Sequence, residues 1–198
     1  MESEWASYAF QPETTVLRLR LRPFSVGHEI LLSLEKSPFL FGGTFDWHDL
    51  FTAVLFCSQT FREGMALRQS PRKVQIFAYA WKWFLSGRLN IISEQKAFEK
   101  YIMEGSWCPN VCEPISGYET RELKAPKAFR LIPFLCAYLN MSESEAMDFP
   151  MSRAQAYAAA IDDKEGKIDL EGKGEKSITK FLAELEEKAK TDPSVWGS

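Results

Sequence analysis

The sequence predicts a mainly α-helical protein: a compact multi-helix domain with one short N-terminal strand and a C-terminal helical appendage. Between residues 25 and 161, apolar side chains recur every three or four positions in stretches that open on Ser, Thr or Asp, the period and start signal of amphipathic helices. Only Val16 to Arg22 alternates apolar and charged residues as a half-buried strand does. The charge balance then changes late in the chain. Residues 162–198 hold ten acidic residues and seven lysines, which accounts for the whole net charge of −3 and leaves residues 1–161 neutral.

The elements follow in order. After a loose arm of about a dozen residues, Leu17, Leu19 and Leu21 share one face of the strand, with Arg18, Arg20 and Arg22 on the other; Pro23 ends it. Its partner is either a small local sheet, with Gly87 to Ile92 as a possible second strand, or another protein chain. Ser25 caps a helix to about Lys36, broken at Ser37-Pro38. Gly42-Gly43 turns the chain toward a helix capped by Thr44 or Asp46, whose stripe of Trp47, Leu50, Phe51, Val54, Phe61 and Met65 runs unbroken through Cys57. A third helix, about Arg72 to Ser86, is apolar on almost every side and belongs at the centre of the domain, with Gly87 as its stop.

Ser93 caps a fourth helix to about Glu104 that buries Ala97, Phe98, Tyr101 and Ile102. Gly105 to Pro126 is a long loop containing Cys108 and Cys112. Phe129 to Asn140 is helical with Pro133 near its first turn, and Ser142 to Glu145 has capping-box spacing for a short helix through Met147. Asp148 caps the alanine-rich helix from Met151 to about Asp163. The predicted division is therefore a helical core over residues 1–161 and a charged linker with a closing helix over 162–198. In that last helix, Ser177 to Lys190, Ile178, Phe181, Leu182 and Leu185 share a face.

These residues bear on function chiefly by exclusion. A neutral body lacks the cationic footprint of a general nucleic-acid binder. The longest apolar run, Leu131 to Leu139, is too short for a membrane span, and the acidic start, Met1 to Trp5, has no secretory pattern, so the cytoplasm is the expected location. The chain holds no HExxH, GxGxxG, GxxxxGK[ST] or GxSxG motif. Cys57 and Cys136 sit in apolar helix segments as core thiols. His28 reads as a satisfied, partly buried histidine and His48 as a surface or capping residue. No enzyme and no obligatory cofactor are expected. Cys108-Pro-Asn-Val-Cys112 has zinc-ligand spacing, so a zinc-stabilised interaction module using Cys108 and Cys112 is the alternative reading. Arg18, Arg20 and Arg22, with Arg62, Arg68, Arg72 and Lys73, either form a basic patch suited to an acidic partner or are scattered surface cations.

Two segments add a family likeness. Leu21-Arg-Pro-Phe-Ser-Val-Gly-His-Glu-Ile-Leu-Leu-Ser-Leu-Glu-Lys-Ser-Pro-Phe39 resembles the amino-terminal helix motif of small proteins from the tail-assembly gene cluster of tailed phages. Leu139 to Tyr157, a short capped helix leading through Asp148-Phe-Pro150 into an alanine-rich helix, resembles the ending of phage tail assembly chaperones. The resemblance implies a non-enzymatic helical protein of the host bacterial cytoplasm that binds the tape-measure protein and helps tail-tube subunits polymerise around it. Such a role calls for self-association and apolar surfaces for partners. Phe181, Leu182 and Leu185 of the closing helix, together with Arg18, Arg20 and Arg22, are the expected partner-binding residues, and the aromatic-rich third helix is a further candidate.

Overall fold

The computed structural model describes residues 11–85, 89–106, 112–114, 127–164 and 168–169. The chain divides into two compact units, Met1–Cys108 with Glu122–Ala158, and Pro109–Arg121 with Ala159–Ser198. Nine helices lie among the described residues, so the protein is mainly helical, with one two-strand hairpin near the N-terminus. None of these helices is long and apolar enough to cross a membrane.

The expected single strand over 16–22 is a reversal. β1 (Thr15–Val16) pairs antiparallel with β2 (Leu19–Arg20), and the chain turns at Leu17 and Arg18, whose φ values of 51° and 62° lie in the left-handed region. A tight hairpin needs that backbone, and Asn-Gly supplies it most cheaply. Here tertiary bonds impose it on two bulky residues. The Leu17 side chain is buried, its N–H donates to Glu94 Oε2 at 2.6 Å, and its carbonyl accepts the Trp81 indole N–H at 2.9 Å. The partner of β2 is thus the segment just before it, and Ile91 and Ile92, considered as strand, instead begin a helix.

Helix α1 (Val26–Leu34) opens on a reciprocal cap: the His28 N–H donates to Ser25 Oγ, and the Ser25 N–H donates to His28 Nδ1. Ser37-Pro38 starts the single turn α2 (Pro38–Phe41), and Gly42 and Gly43, with φ of 77° and 122°, swing the chain to Asp46. Asp46 caps α3 (Trp47–Cys57). The stripe expected to run on to Met65 is interrupted: Thr60 forms a capping box with Glu63 and starts α4 (Phe61–Arg68). The change of direction leaves the Gln59 carbonyl to accept from His28 Nε2 at 2.9 Å, which also fixes the histidine as the neutral Nε2–H tautomer.

Helix α5 spans Pro71–Leu85. Asn90, rather than Ser93, caps α6 (Ile91–Gly105), its side chain accepting from the Ile92 and Ser93 N–H groups. Helix α7 (Lys127–Leu139) begins two residues before its expected start, so Pro133 lies inside it. Pro133 and Phe129, whose carbonyl the proline cannot bond, are both on the exposed side. Ser142 and Glu145 form the expected capping box of α8 (Glu143–Asp148). Asp148 does not cap α9 (Met151–Lys164); its Oδ1 accepts the Phe61 N–H at 2.7 Å, at the start of α4. The second unit holds the short antiparallel ladder of β3 (Cys112–Pro114) and β4 (Ile168–Asp169).

In the first unit the central helix is α1, not α5. It packs against α2, α3, α4, α7 and α8, and the approach is close enough to require glycine. A Cβ on Gly27 would stand 2.8 Å from both Phe61 Cβ and the Met147 carbonyl oxygen, and one on Gly64 would stand 2.5 Å from Leu31 Cδ1. Phe24, Leu31, Leu32, Leu50, Phe56, Phe98 and Leu135 fill the surrounding core.

Candidate functional site

Helix α5 has two apolar faces, one buried against the fold and one largely exposed. Val74, Ala78, Trp81 and Leu85 recur at the spacing of a single stripe; Val74, Ala78 and Leu85 are buried, and Trp81 is half-buried. Two indoles tie this stripe down, Trp47 Nε1 to the Ala78 carbonyl at 3.1 Å and Trp81 Nε1 to the Leu17 carbonyl. The opposite arc, about 160° wide at 3.6 residues per turn, runs from Tyr79 to Phe77. Trp83 is 81% exposed and Tyr79 74%, while Ile76, Phe77 and Phe84 range from 46% to 68%. Isolated exposed apolar residues are ordinary on protein surfaces; five on one helix form a contiguous patch, the signature of an interaction surface.

Beside this patch lies a groove of about 470 Å³. Phe77 and Trp81 of α5 form one wall, Ala66 and Leu67 of α4 the other, Phe51 and Leu55 of α3 the floor, and Leu19 of β2 joins them. Its polar lining is sparse: Gln59, Glu63, Ser70 and Lys73. The Glu63 carboxylate is held below its usual range by the Thr60 N–H and, next, the Thr60 hydroxyl, both of which donate to it. Helix α5 contains Arg72, Lys73 and Lys82 and no acidic residue. Among the described residues these three cations make no ion pair.

Arg18, Arg20 and Arg22 are exposed on and around the hairpin. Arg20 pairs with Glu13, and Arg68 with Glu35 at 2.7 Å, so two of the cations considered for a basic patch are already matched by carboxylates. Phe181, Leu182, Leu185 and Cys108 lie outside the described residues. Cys112 belongs to β3, in register with Asp169. His28 is buried with both ring nitrogens in hydrogen bonds, and burial lowers its pKa to about 4, so it is a neutral structural residue at physiological pH. Cys57 is buried, and loss of solvent pushes its thiol up to about 12, far from the range of a reactive thiolate. Neither supplies an activated base or nucleophile.

The sequence makes the aromatic-rich third helix a partner-binding candidate, but which of its faces is exposed is not legible there, because an all-round apolar helix is expected at the centre. The signal that separates its faces is the spacing of Val74, Ala78, Trp81 and Leu85: that stripe is narrow enough for one contact, while Arg72 and Lys73 lie on the other arc and Lys82 beside it. No family model, curated protein or solved structure matches the chain.

Proposed function

We propose that the chain is a non-enzymatic assembly chaperone or adaptor that holds an apolar segment of another protein on the outer face of α5, in the manner of a tail assembly chaperone acting on tape-measure and tail-tube proteins in a bacterial cytoplasm. The observation that carries the reading is the exposed run of Ile76, Phe77 and Tyr79, presented on a helix that is well anchored on its other side. Large apolar side chains exposed together on one helix lower solubility, and a partner that covers them accounts for their presence. The likeness of residues 21–39 and 139–157 to tail-assembly proteins supplies the identity of that partner. Co-expression with a tape-measure protein from a tailed phage should yield a complex that co-purifies. An Ile76→Gln/Tyr79→Gln variant should melt like the parent and lose the complex. A parent chain that stays free of the tape measure, or a variant that retains it, would remove this function.

A further inference from the structure

The groove beside the patch specifies the chemistry of what enters it. We infer that it receives an amphipathic helix of a partner protein that lays apolar side chains along the Phe77–Trp81 wall and brings a carboxylate to Lys73. This rests on the reading of α5 as a docking face and adds the partner's secondary structure and charge.

The shape argues for a helix. The walls are helices α4 and α5, whose main-chain groups are satisfied within each helix, and the two-residue strands β1 and β2 are too short to template an extended chain. An extended occupant would carry its own N–H and C=O groups into an apolar trough without partners, whereas a helix satisfies them internally. Lys73, Phe77 and Trp81 are spaced i, i+4 and i+8, a wall about 12 Å long at 1.5 Å per residue, which two turns of a helix match. The charge argues for an acidic flank. Lys73 is the groove's cation, it is exposed, and it makes no ion pair among the described residues. The groove's carboxylate, Glu63, is already engaged by Thr60. Arg72 and Lys82 extend the same sign along α5, with no acidic residue on that helix to offset it.

The test uses the full chain and two labelled helical peptides with an identical leucine stripe at i, i+4 and i+7, one flanked by Glu and the other by Lys. Fluorescence anisotropy should show the Glu-flanked peptide binding about tenfold more tightly at low salt, with the gap closing as NaCl screens it. Lys73→Gln should bring the two affinities together and Lys73→Glu should invert them; as Lys73 is exposed, both variants should melt like the parent. Equal affinities for the parent would overturn the charge assignment while leaving the docking face in place. Failure of both peptides to bind would overturn the docking face as well, and a stable dimer that excludes them would make a second copy the occupant.

Discussion

Helices α1 and α5 are both largely apolar, and the fold treats them differently. Helix α1, at nine residues, is enclosed by five neighbouring helices, and it buries even its histidine. Helix α5, at fifteen residues, packs chiefly on α3 and α4 and leaves Ile76, Phe77 and Tyr79 largely exposed. Apolar content therefore reports what a helix can bury, while the number of elements closing around it decides what it does bury. In α1 the two meet; in α5 the excess is available to something else.

That contrast can be broken first at α1. Leu31→Ala removes a fully buried side chain that also fills the space left by Gly64, and should cost about 3 kcal/mol in urea unfolding. A loss near zero would mean that α1 is not the packing centre. The buried histidine offers a comparable effect without mutation. Burial lowers the folded His28 pKa to about 4 from 6.5, so between these values the unfolded chain binds more protons. Its contribution is complete above pH 6.5 and is lost as pH falls toward 4, about 3 kcal/mol by linkage. The decline of the urea midpoint over that window should be shallower in His28→Gln.

A smaller effect sharpens the boundary between the two faces of α5. Trp81→Phe keeps an aromatic ring of reduced size and leaves the Leu17 carbonyl without its donor, and should cost about 1–2 kcal/mol by thermal unfolding. The smallest effect is the most telling. Ile76→Gln and Tyr79→Gln on the outer face should each shift stability by less than about 0.5 kcal/mol, because the fold makes little use of them. A loss of several kcal/mol from either would show that the face belongs to the core after all.

Short-range chemistry was the legible part of the sequence. Ser25, Asp46 and Ser142 cap helices as their spacing predicts, since each cap bonds to groups two or three residues away. The break between α3 and α4 was legible in the same way, in the Thr60 to Glu63 spacing, but the apolar stripe continuing to Met65 hid it. Two features depend on distant residues and could not be read locally. The turn at Leu17-Arg18 is imposed by Trp81 and Glu94, and Asp148 serves the N-terminus of α4 rather than the helix that follows it. The docking face lies between these cases: its composition was evident, whereas its exposure depends on which of two stripes the neighbouring helices cover.

The hairpin turn also constrains the order in which the chain acquires its structure. Left-handed backbone at two bulky residues costs roughly 1–2 kcal/mol each, so Leu17 and Arg18 have no reason to reverse the chain in an otherwise unfolded molecule. The bonds that hold the turn come from Glu94 and Trp81, 77 and 64 residues away, and exist only after α5 and α6 have docked. The N-terminal reversal is accordingly a late event, closing over a helical body that has already assembled. Weakening the Glu94 bond should accelerate unfolding and leave the refolding rate almost unchanged.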